Sequence, residues 1–427
     1  MTAEVAVMNK HGIALAADSA VTVSAGGEAK IFTSANKIFS LSKFEPVAVM
    51  IYGNAELLGL PWETTVKRYR SQLGEAAFAS LEEYVDDFFG FLQSEGDLFP
   101  EATQLDYVEG TVGDLFEAVA NEIRRQADDA IEDRGSIDER DISAIVEKEI
   151  LDIHGLWEAQ PPLPYTSAEH AAKVESLYTD AFQELARHHF ERLPLGSDLT
   201  EKLLELASWL LTRVPPWDMP FVTGVVIAGF GQSDIFPSFI ETMVDGLAAA
   251  EVIAWRTREQ GITRRDDAYV GAFAQAEMVG RFMEGVDPEY QSVLMRSISQ
   301  LMDGYTDVIL KASKVRSTSK LKDELSAARE RMLDEYADDL AMYRHESFVR
   351  GVIGVVRSLP VGELAHMAES LVNLTSFKRR VSMEAESVSG PIDVAVISRG
   401  DGFIWIKRKH YFQPEKNPHF QANYYRG

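Results

Sequence analysis

Thr2 is the residue with the clearest potential for chemistry, because it follows the first methionine and opens the apolar stretch MTAEVAVMNKHGIALAADSAVTV. Methionine is generally trimmed before a small residue, so we expect a mature chain that begins at Thr2 with a free α-amine. Such an amine has a reference pKa of about 7.7–8.0 and can accept the proton of the threonine hydroxyl, directly or through water. Nucleophile and base would then belong to one residue.

A nucleophile of this kind needs a nearby cation, which favours the unprotonated amine and the developing alkoxide, and an anion that orients the cation. Asp18 and Lys37 are the candidates. Asp18 ends the second predicted strand, beside the strand that Thr2 opens, and Lys37 begins the third. The sequence therefore predicts that one edge of a sheet gathers the three side chains.

The elements that must position these residues alternate between sheet and helix. Apolar runs around a Lys-His-Gly turn predict strands at Glu4–Asn9 and Gly12–Asp18. Helical patterns follow from Glu56 to about Arg213, sheet returns at FVTGVVIAGF, and a second helical region runs from about Asp267 to Phe377. The late stretch PIDVAVISRGDGFIWIK predicts a hairpin. This order favours helices packed on stacked sheets over a repeating βαβ unit.

Four stretches, in order along the chain, resemble proteasome β-subunits and their bacterial relatives in the N-terminal nucleophile (Ntn) hydrolase superfamily. TAEVAV…HGIALAADSAVT resembles the family's opening, which implies Thr2 as nucleophile, Asp18 as the site aspartate and Thr22 as a contact to the substrate backbone. NKIFSL is similar to the segment that holds the catalytic lysine, which implies this role for Lys37 rather than Lys30. These two stretches carry the nucleophile and its charged partners.

The other two stretches imply the rest of the site. VMIYGNAELL is similar to the strand and glycine turn that line the family's substrate groove, with the Met50 amide at the oxyanion-hole position and Gly53 in the turn. EAESVSGPIDVAVISRGDGFIWI is similar to the family's late loop and final hairpin. The resemblance places Glu386 where an aspartate is usual and Ser389 at the accessory serine.

Besides Glu386, the chain departs from the family pattern at three further places. Ala20 stands where arginine is common, and Met50 stands where glycine is usual. The stretch AYVGAFAQAEMVGRF has no serine where a further accessory serine is expected, and Gln275 could substitute there as a hydrogen-bonding group. These departures bear on the rate of a reaction more than on the fold.

The resemblance implies an α/β (α+β) fold, specifically a four-layer αββα Ntn-hydrolase sandwich with large helical insertions. The predicted parts of this single domain, 1–427, are a core at about 2–58, 218–283 and 361–410, helical insertions at about 60–215 and 285–360, and a C-terminal tail at 411–427.

The expected function is that of a threonine-type peptidase or amidohydrolase, which cleaves peptide or amide bonds through an acyl-enzyme on Thr2 and needs neither cofactor nor metal. The family implies a self-compartmentalising homo-oligomer that takes peptide or protein substrates, with an ATPase or unfoldase as a further partner. Two alternatives remain open. One is a small-molecule amidase whose helical insertions form a lid, and the other is a catalytically inactive scaffold whose acidic helices bind partners.

Composition argues against several other classes. The chain has 42 Lys and Arg residues against 67 Asp and Glu, and its net charge of −25 opposes binding to nucleic acid or to an anionic membrane. No export signal or long apolar segment is evident. The absence of cysteine excludes thiolate chemistry and suits a reducing compartment. We therefore expect a cytoplasmic protein.

Overall fold

The computed structural model describes residues 2–25, 28–313, 319–382, 390–410, 412–419 and 422. The fold is mixed α+β with antiparallel sheets, as the sequence predicts at this level. The strands are β1 (Glu4–Asn9), β2 (Gly12–Ala17), β3 (Val21–Ala25), β4 (Glu28–Phe32), β5 (Ile38–Ser40), β6 (Val47–Gly53), β7 (Glu56–Leu57), β8 (Leu60–Pro61), β9 (Thr223–Gly229), β10 (Ser238–Ala248), β11 (Glu251–Gly261), β12 (Ala268–Ala272), β13 (Asp393–Ser398) and β14 (Gly402–Lys407).

Helices fill the two long intervals between these strands. They are α1 (Trp62–Leu73), α2 (Leu81–Ser94), α3 (Glu101–Arg134), α4 (Glu139–Glu158), α5 (His170–Phe190), α6 (Ser197–Thr212), α7 (Glu277–Glu284), α8 (Pro288–Ser313), α9 (Ser319–Arg344), α10 (Arg350–Val356) and α11 (Val361–Val381). A π-helical turn at His345–Val349 joins α9 to α10, and a short 3-10 turn at Pro414–Lys416 follows β14. Both helical regions of the sequence are thereby confirmed, apart from where each begins. The first was predicted from Glu56, but Glu56–Leu57 and Leu60–Pro61 pair as β7 and β8, and α1 begins at Trp62.

The chain forms two compact units. The first contains Met1–Ile38, Ile235–Pro237 and Gly261–Gly427, and the second contains Phe39–Asp234 and Ser238–Gln260. The boundary falls inside the core segment predicted at about 2–58, between β5 residues Ile38 and Phe39.

The first unit is organised around an antiparallel sheet with the strand order β12-β1-β2-β13-β14. Helix α11 packs against β1, β2 and β13. Val5 and Val7 of β1 join Leu364 and Leu371 of α11 in the apolar core of this unit. Because successive strand residues point to opposite faces, Glu4 points away from α11. The sheet therefore presents Glu4 on the face opposite to its helix-covered core.

The second helical region begins later than the sequence predicts. It was expected to start at about Asp267, but Ala268–Ala272 forms β12 and pairs with β1, and α7 begins at Glu277. The ring of Tyr269 lies over Gly271, where a Cβ would come within 2.1 Å of the tyrosine hydroxyl oxygen. A five-residue edge strand is too short for periodicity to distinguish it from helix.

The second unit contains an antiparallel sheet with the strand order β11-β10-β9-β6-β5. Helix α2 packs on β9 and β10, and α1 and α2 share an aromatic core that includes Trp62 and Phe88. Helices α3 to α6 pack against one another around Phe116, Trp157 and Phe182, and α3 also contacts β10. The segment predicted as the first helical insertion thus packs onto this sheet, and its apolar cores include strand residues such as Ile240 and Ile253.

Candidate active site

Thr2 is held at the start of β1 by its backbone. Its carbonyl oxygen accepts a hydrogen bond of 3.1 Å from the backbone N–H of Gln275, just beyond β12. Two residues later, the Glu4 carbonyl accepts from the N–H of Phe273 at 2.9 Å. Thr2 is only 4% exposed. The chain segment after β12 therefore fixes the position of the hydroxyl-bearing residue.

Asp18 follows β2 directly and is fixed by both backbone and side chain. Its N–H donates to the carbonyl of Ala3 at 3.1 Å. Its carboxylate accepts from the N–H of Ala3 at 3.2 Å and from the N–H of Ala20 at 3.1 Å. Lys37 Nζ lies 2.5 Å from the same carboxylate. The structure therefore brings Asp18 and Lys37 together as predicted. The prediction that one sheet edge gathers them is wrong, because the third strand is β3 and Lys37 precedes β5, which belongs to the other five-stranded sheet. Ala20 lacks a charged side chain but binds Asp18 through its backbone N–H.

Glu4 is the residue that sequence reasoning missed. Its carboxylate accepts a hydrogen bond from the Thr2 hydroxyl at 3.1 Å, and its other oxygen lies 3.1 Å from Lys37 Nζ. The available signal was an acidic residue in an otherwise apolar strand, EVAVMN, placed two residues after Thr2. The hydroxyl is thus linked through Glu4 to Lys37 and onward to Asp18. We call these four residues the Thr2 site.

The Thr2 site carries more negative than positive charge in a buried setting. Glu4, Asp18 and Lys37 are all 5% exposed or less, and they comprise two carboxylates and one ammonium group. Burial is the main cause that raises the pKa of Glu4 from 4.5 to about 7; Lys37 and the Thr2 hydrogen bond act in the opposite direction, and the charge of Asp18 acts in the same direction as burial. Glu4 is therefore suited to hold or release a proton near neutral pH.

A second buried ion pair lies close to the Thr2 site. Asp393 is the first residue of β13. In the sheet, Ala17 of β2 is paired with Glu4 on one side and with Asp393 on the other. Its carboxylate pairs with the ammonium group of Lys409 and accepts from the Lys409 N–H at 2.8 Å. Burial lowers the pKa of Lys409, and the charge of Lys37 acts in the same direction. Lys409, which the sequence did not suggest as a site residue, therefore interacts electrostatically with the Thr2 site.

The remaining predicted residues are placed as follows. Thr22 lies in β3 opposite Ile31. Met50 lies inside β6 opposite Val226, and Gly53 ends that strand; both belong to the second unit. Gly53 has a φ of +82°, and a Cβ there would come within 2.3 Å of the Val222 carbonyl oxygen, so only glycine fits this turn.

Two predicted residues, Glu386 and Ser389, lie outside the described residues. The next residue, Gly390, has a φ of +88°, and a Cβ on it would lie 2.8 Å from the Cβ of Thr33. Gln275, suggested as a substitute hydrogen-bonding group, does contact Thr2, but through its backbone; its side-chain oxygen accepts from Arg379 at 3.1 Å.

The known protein families and the curated proteins provide no relative for this site. No protein-family model matches the chain, and no curated protein matches it. Among the described residues, no group of three or more His, Asp or Glu side chains is arranged to hold a metal ion. None of the helices in the described ranges combines the length and apolar character needed to cross a membrane. The Thr2 site is thus the basis on which a function can be assigned.

The raised pKa of Glu4 predicts a specific pH dependence of stability. In the folded chain Glu4 keeps its proton up to about pH 7, whereas in the unfolded chain it loses the proton near 4.5. The folded state binds more protons between these values, so this contribution to the free energy of unfolding is complete below pH 4.5 and is lost as pH rises through 7. From about pH 5.5 to 8 we expect the loss to be about 2 kcal/mol.

Urea denaturation of wild type and Glu4→Gln across that range measures this loss. The difference in the free energy of unfolding between the two proteins should change with pH, because glutamine does not titrate. Glu335→Gln, on the exposed surface of α9, is the matched control and should follow wild type. A Glu4→Gln protein that keeps the full wild-type pH dependence would contradict the assignment of this titration to Glu4.

Proposed function

We propose that this chain is an N-terminal threonine hydrolase that cleaves peptide or amide bonds, with the four-layer αββα sandwich of the Ntn-hydrolase superfamily. The observation that carries the proposal is the hydrogen bond from the Thr2 hydroxyl to buried Glu4, whose carboxylate is paired with Lys37. Asp18 supports it from the other side of the ammonium group. A buried hydroxyl held in this way beside a lysine and two carboxylates is suited to nucleophilic catalysis.

The proposed reaction begins after removal of Met1. Oγ of Thr2 attacks the carbonyl carbon of the substrate, and the α-amine of Thr2 takes the hydroxyl proton, directly or through water. The tetrahedral intermediate collapses, the α-amine returns the proton to the departing amine, and an ester on Thr2 remains. Water then attacks the ester and loses a proton to the same amine. As the bond between the acyl carbon and Oγ of Thr2 breaks, the amine returns that proton to Oγ, so the carboxylic acid leaves and the Thr2 hydroxyl is regenerated.

The charged residues have distinct parts in this scheme. Glu4 accepts the hydrogen bond of the Thr2 hydroxyl and so orients it before attack. Lys37 favours the unprotonated amine and the developing alkoxide by its positive charge, and Asp18 orients Lys37.

The proposal extends to substrate and assembly by the same resemblance. We assign peptides or proteins as substrates, a self-compartmentalising homo-oligomer as the working form, and an ATPase or unfoldase as a further partner. The cysteine-free sequence suits work in the cytoplasm. Degradation of an unfolded protein such as reduced casein would favour this assignment, whereas cleavage restricted to short amides would favour a small-molecule amidase on the same fold.

Intact mass spectrometry tests the proposal most directly. Purified protein is weighed before and after treatment with a threonine-directed β-lactone or epoxyketone, and the adduct is located by peptide sequencing. We expect a chain that begins at Thr2 and carries one adduct there. Thr2→Ser should also react, since it keeps both the hydroxyl and the amine. A chain that retains Met1, or one that begins at Thr2 and never reacts, would favour a catalytically inactive scaffold.

A further inference from the structure

A cavity of about 450 Å³ lies within the second unit, well apart in the sequence from the residues of the Thr2 site. We call it the α3 cavity, because α3 supplies one wall from Tyr107 to Ala118. The segment Asn54–Gly59 after β6 and the segment Trp217–Phe221 before β9 close other sides. Its volume lies within the range of small-molecule sites in proteins.

The charged residues that line the α3 cavity are all acidic. Three carboxylates line it, those of Glu56, Asp114 and Asp245, and none of the lining residues is Lys, Arg or His. Asp245 projects from β10, and the hydroxyl of Tyr107 donates to its carboxylate at 2.6 Å. Burial raises the pKa of Asp245, and the Tyr107 bond only partly opposes this. A positively charged ligand group would supply the opposite charge that the lining lacks.

Most of the remaining lining residues are apolar, and two of the aromatic ones are exposed. Leu115, Leu210 and Met219 form part of the wall. Trp217 is 41% exposed and is held by an edge contact with Trp157 at 5.6 Å between ring centroids, and Phe221 is 86% exposed. Aromatic faces bind both apolar groups and organic cations. An aromatic or aliphatic group joined to a cation therefore matches this combination of walls.

The backbone around the cavity is also unusual. Among the described residues, four non-glycine residues have a positive φ, and two of them, Leu58 at +48° and Phe221 at +63°, line the α3 cavity. Such conformations are strained for residues other than glycine and are concentrated at ligand clamps and active sites. The strain places the exposed ring of Phe221 at the cavity wall, where it can contact a ligand.

We propose that the α3 cavity binds a small organic cation, a protonated amine attached to an aromatic or aliphatic group. The amine pairs with the carboxylate of Asp245, supported by the charges of Glu56 and Asp114, and the apolar group lies against Trp217 and Phe221. The cavity shares no residue with the Thr2 site, because every residue that lines it belongs to the second unit. Asn54, Glu56 and Leu58 do lie in the stretch that the family resemblance places at the substrate groove, so Asp245, outside that stretch, is the residue on which the test depends.

Three probes of one shape test the proposal by isothermal titration calorimetry on the full chain near neutral pH. They are 4-phenylbutylamine, the neutral 4-phenylbutanol and the anionic 4-phenylbutyrate. We expect the amine to bind at least about tenfold more tightly than the alcohol, and the acid not to bind, since a desolvated charge pair strongly discriminates between ligands. Equal affinity for amine and alcohol would overturn the proposal, and so would an absence of amine binding.

Two variants and one control locate the binding site. Asp245→Asn should weaken amine binding at least about tenfold and leave alcohol binding almost unchanged. The control is Asp106→Asn, which changes an exposed residue outside the cavity, next to Tyr107, and should bind both ligands like wild type. Ala118→Trp changes an exposed lining residue and should block both ligands. Amine binding that survives Asp245→Asn and Ala118→Trp would place the ligand elsewhere and overturn the proposal.

The test is separable from that of the hydrolase function. Thr2→Ala should bind 4-phenylbutylamine as tightly as wild type, and Asp245→Asn should form the Thr2 adduct as wild type does. Failure of adduct formation therefore leaves the amine result intact, and failure of amine binding leaves the hydrolase proposal intact.

Discussion

Thr2→Ala should lower the hydrolysis of a fluorogenic peptide at least about 1,000-fold, because it removes the only hydroxyl that the proposed reaction uses as nucleophile. The fold should be unaffected, since the hydrogen bond from Gln275 to residue 2 is made by the backbone and alanine keeps it. The measurement is kcat/KM of the purified variant, with thermal unfolding recorded on the same sample.

Thr2→Ser is the matched variant for this comparison and should keep measurable activity, because a serine hydroxyl can donate to Glu4 in the same way. If Thr2→Ala hydrolyses the peptide as fast as wild type, the nucleophile lies elsewhere and the proposed function fails. Loss of activity together with loss of folded structure would instead show that the hydroxyl is needed for stability.

Lys37→Met is expected to destabilise the fold by about 3–5 kcal/mol and to abolish hydrolysis, because it leaves Glu4 and Asp18 buried without their cation. Methionine is close to lysine in length, so the loss of charge dominates. Urea denaturation measures the first effect and peptide hydrolysis the second. Lys30→Met, at an exposed position of β4, is the control and should match wild type in both.

A double variant separates the charge effect from a packing effect. After Lys37→Met, Asp18 keeps its hydrogen bonds from two backbone N–H groups, whereas Glu4 keeps only the Thr2 hydroxyl among the donors described above. Adding Glu4→Gln should therefore recover at least about half of the lost stability, with hydrolysis still absent. A Lys37→Met protein as stable as wild type would refute the role assigned to this ion pair.

The parts of the fold that could be predicted from sequence are those that local patterns determine. The first hairpin has two apolar runs and a Lys-His-Gly turn, and the late hairpin has the Arg-Gly-Asp-Gly turn, so both strands of each were found. The pairing of Asp18 with Lys37 was also found, because each residue stands at the end of a strand and matches a family motif.

The parts that escaped prediction depend on contacts between distant segments. In the sequence, Glu4 looks like an ordinary strand residue. Its role depends on the ion pair with Lys37, and Lys37 follows the β3–β4 hairpin, so the sequence does not show which face of the sheet Lys37 reaches. The pair of Asp393 with Lys409 depends on the register of β13 against β2. Strand β12 is defined by its place beside β1 rather than by any pattern of its own.

The order in which the two units occur along the chain affects how the protein matures on the ribosome. All segments of the second unit have been synthesised once Gln260 is made. The sheet around Thr2, by contrast, still awaits β12 and β13, and Asn9 donates to the carbonyl of Val356, 347 residues further along the chain. Since domains generally fold as units during synthesis, the second unit can fold first. On the proposed function, the nucleophile is therefore not assembled while β13 is still unsynthesised, and peptide cleavage becomes possible only after that strand has joined the sheet.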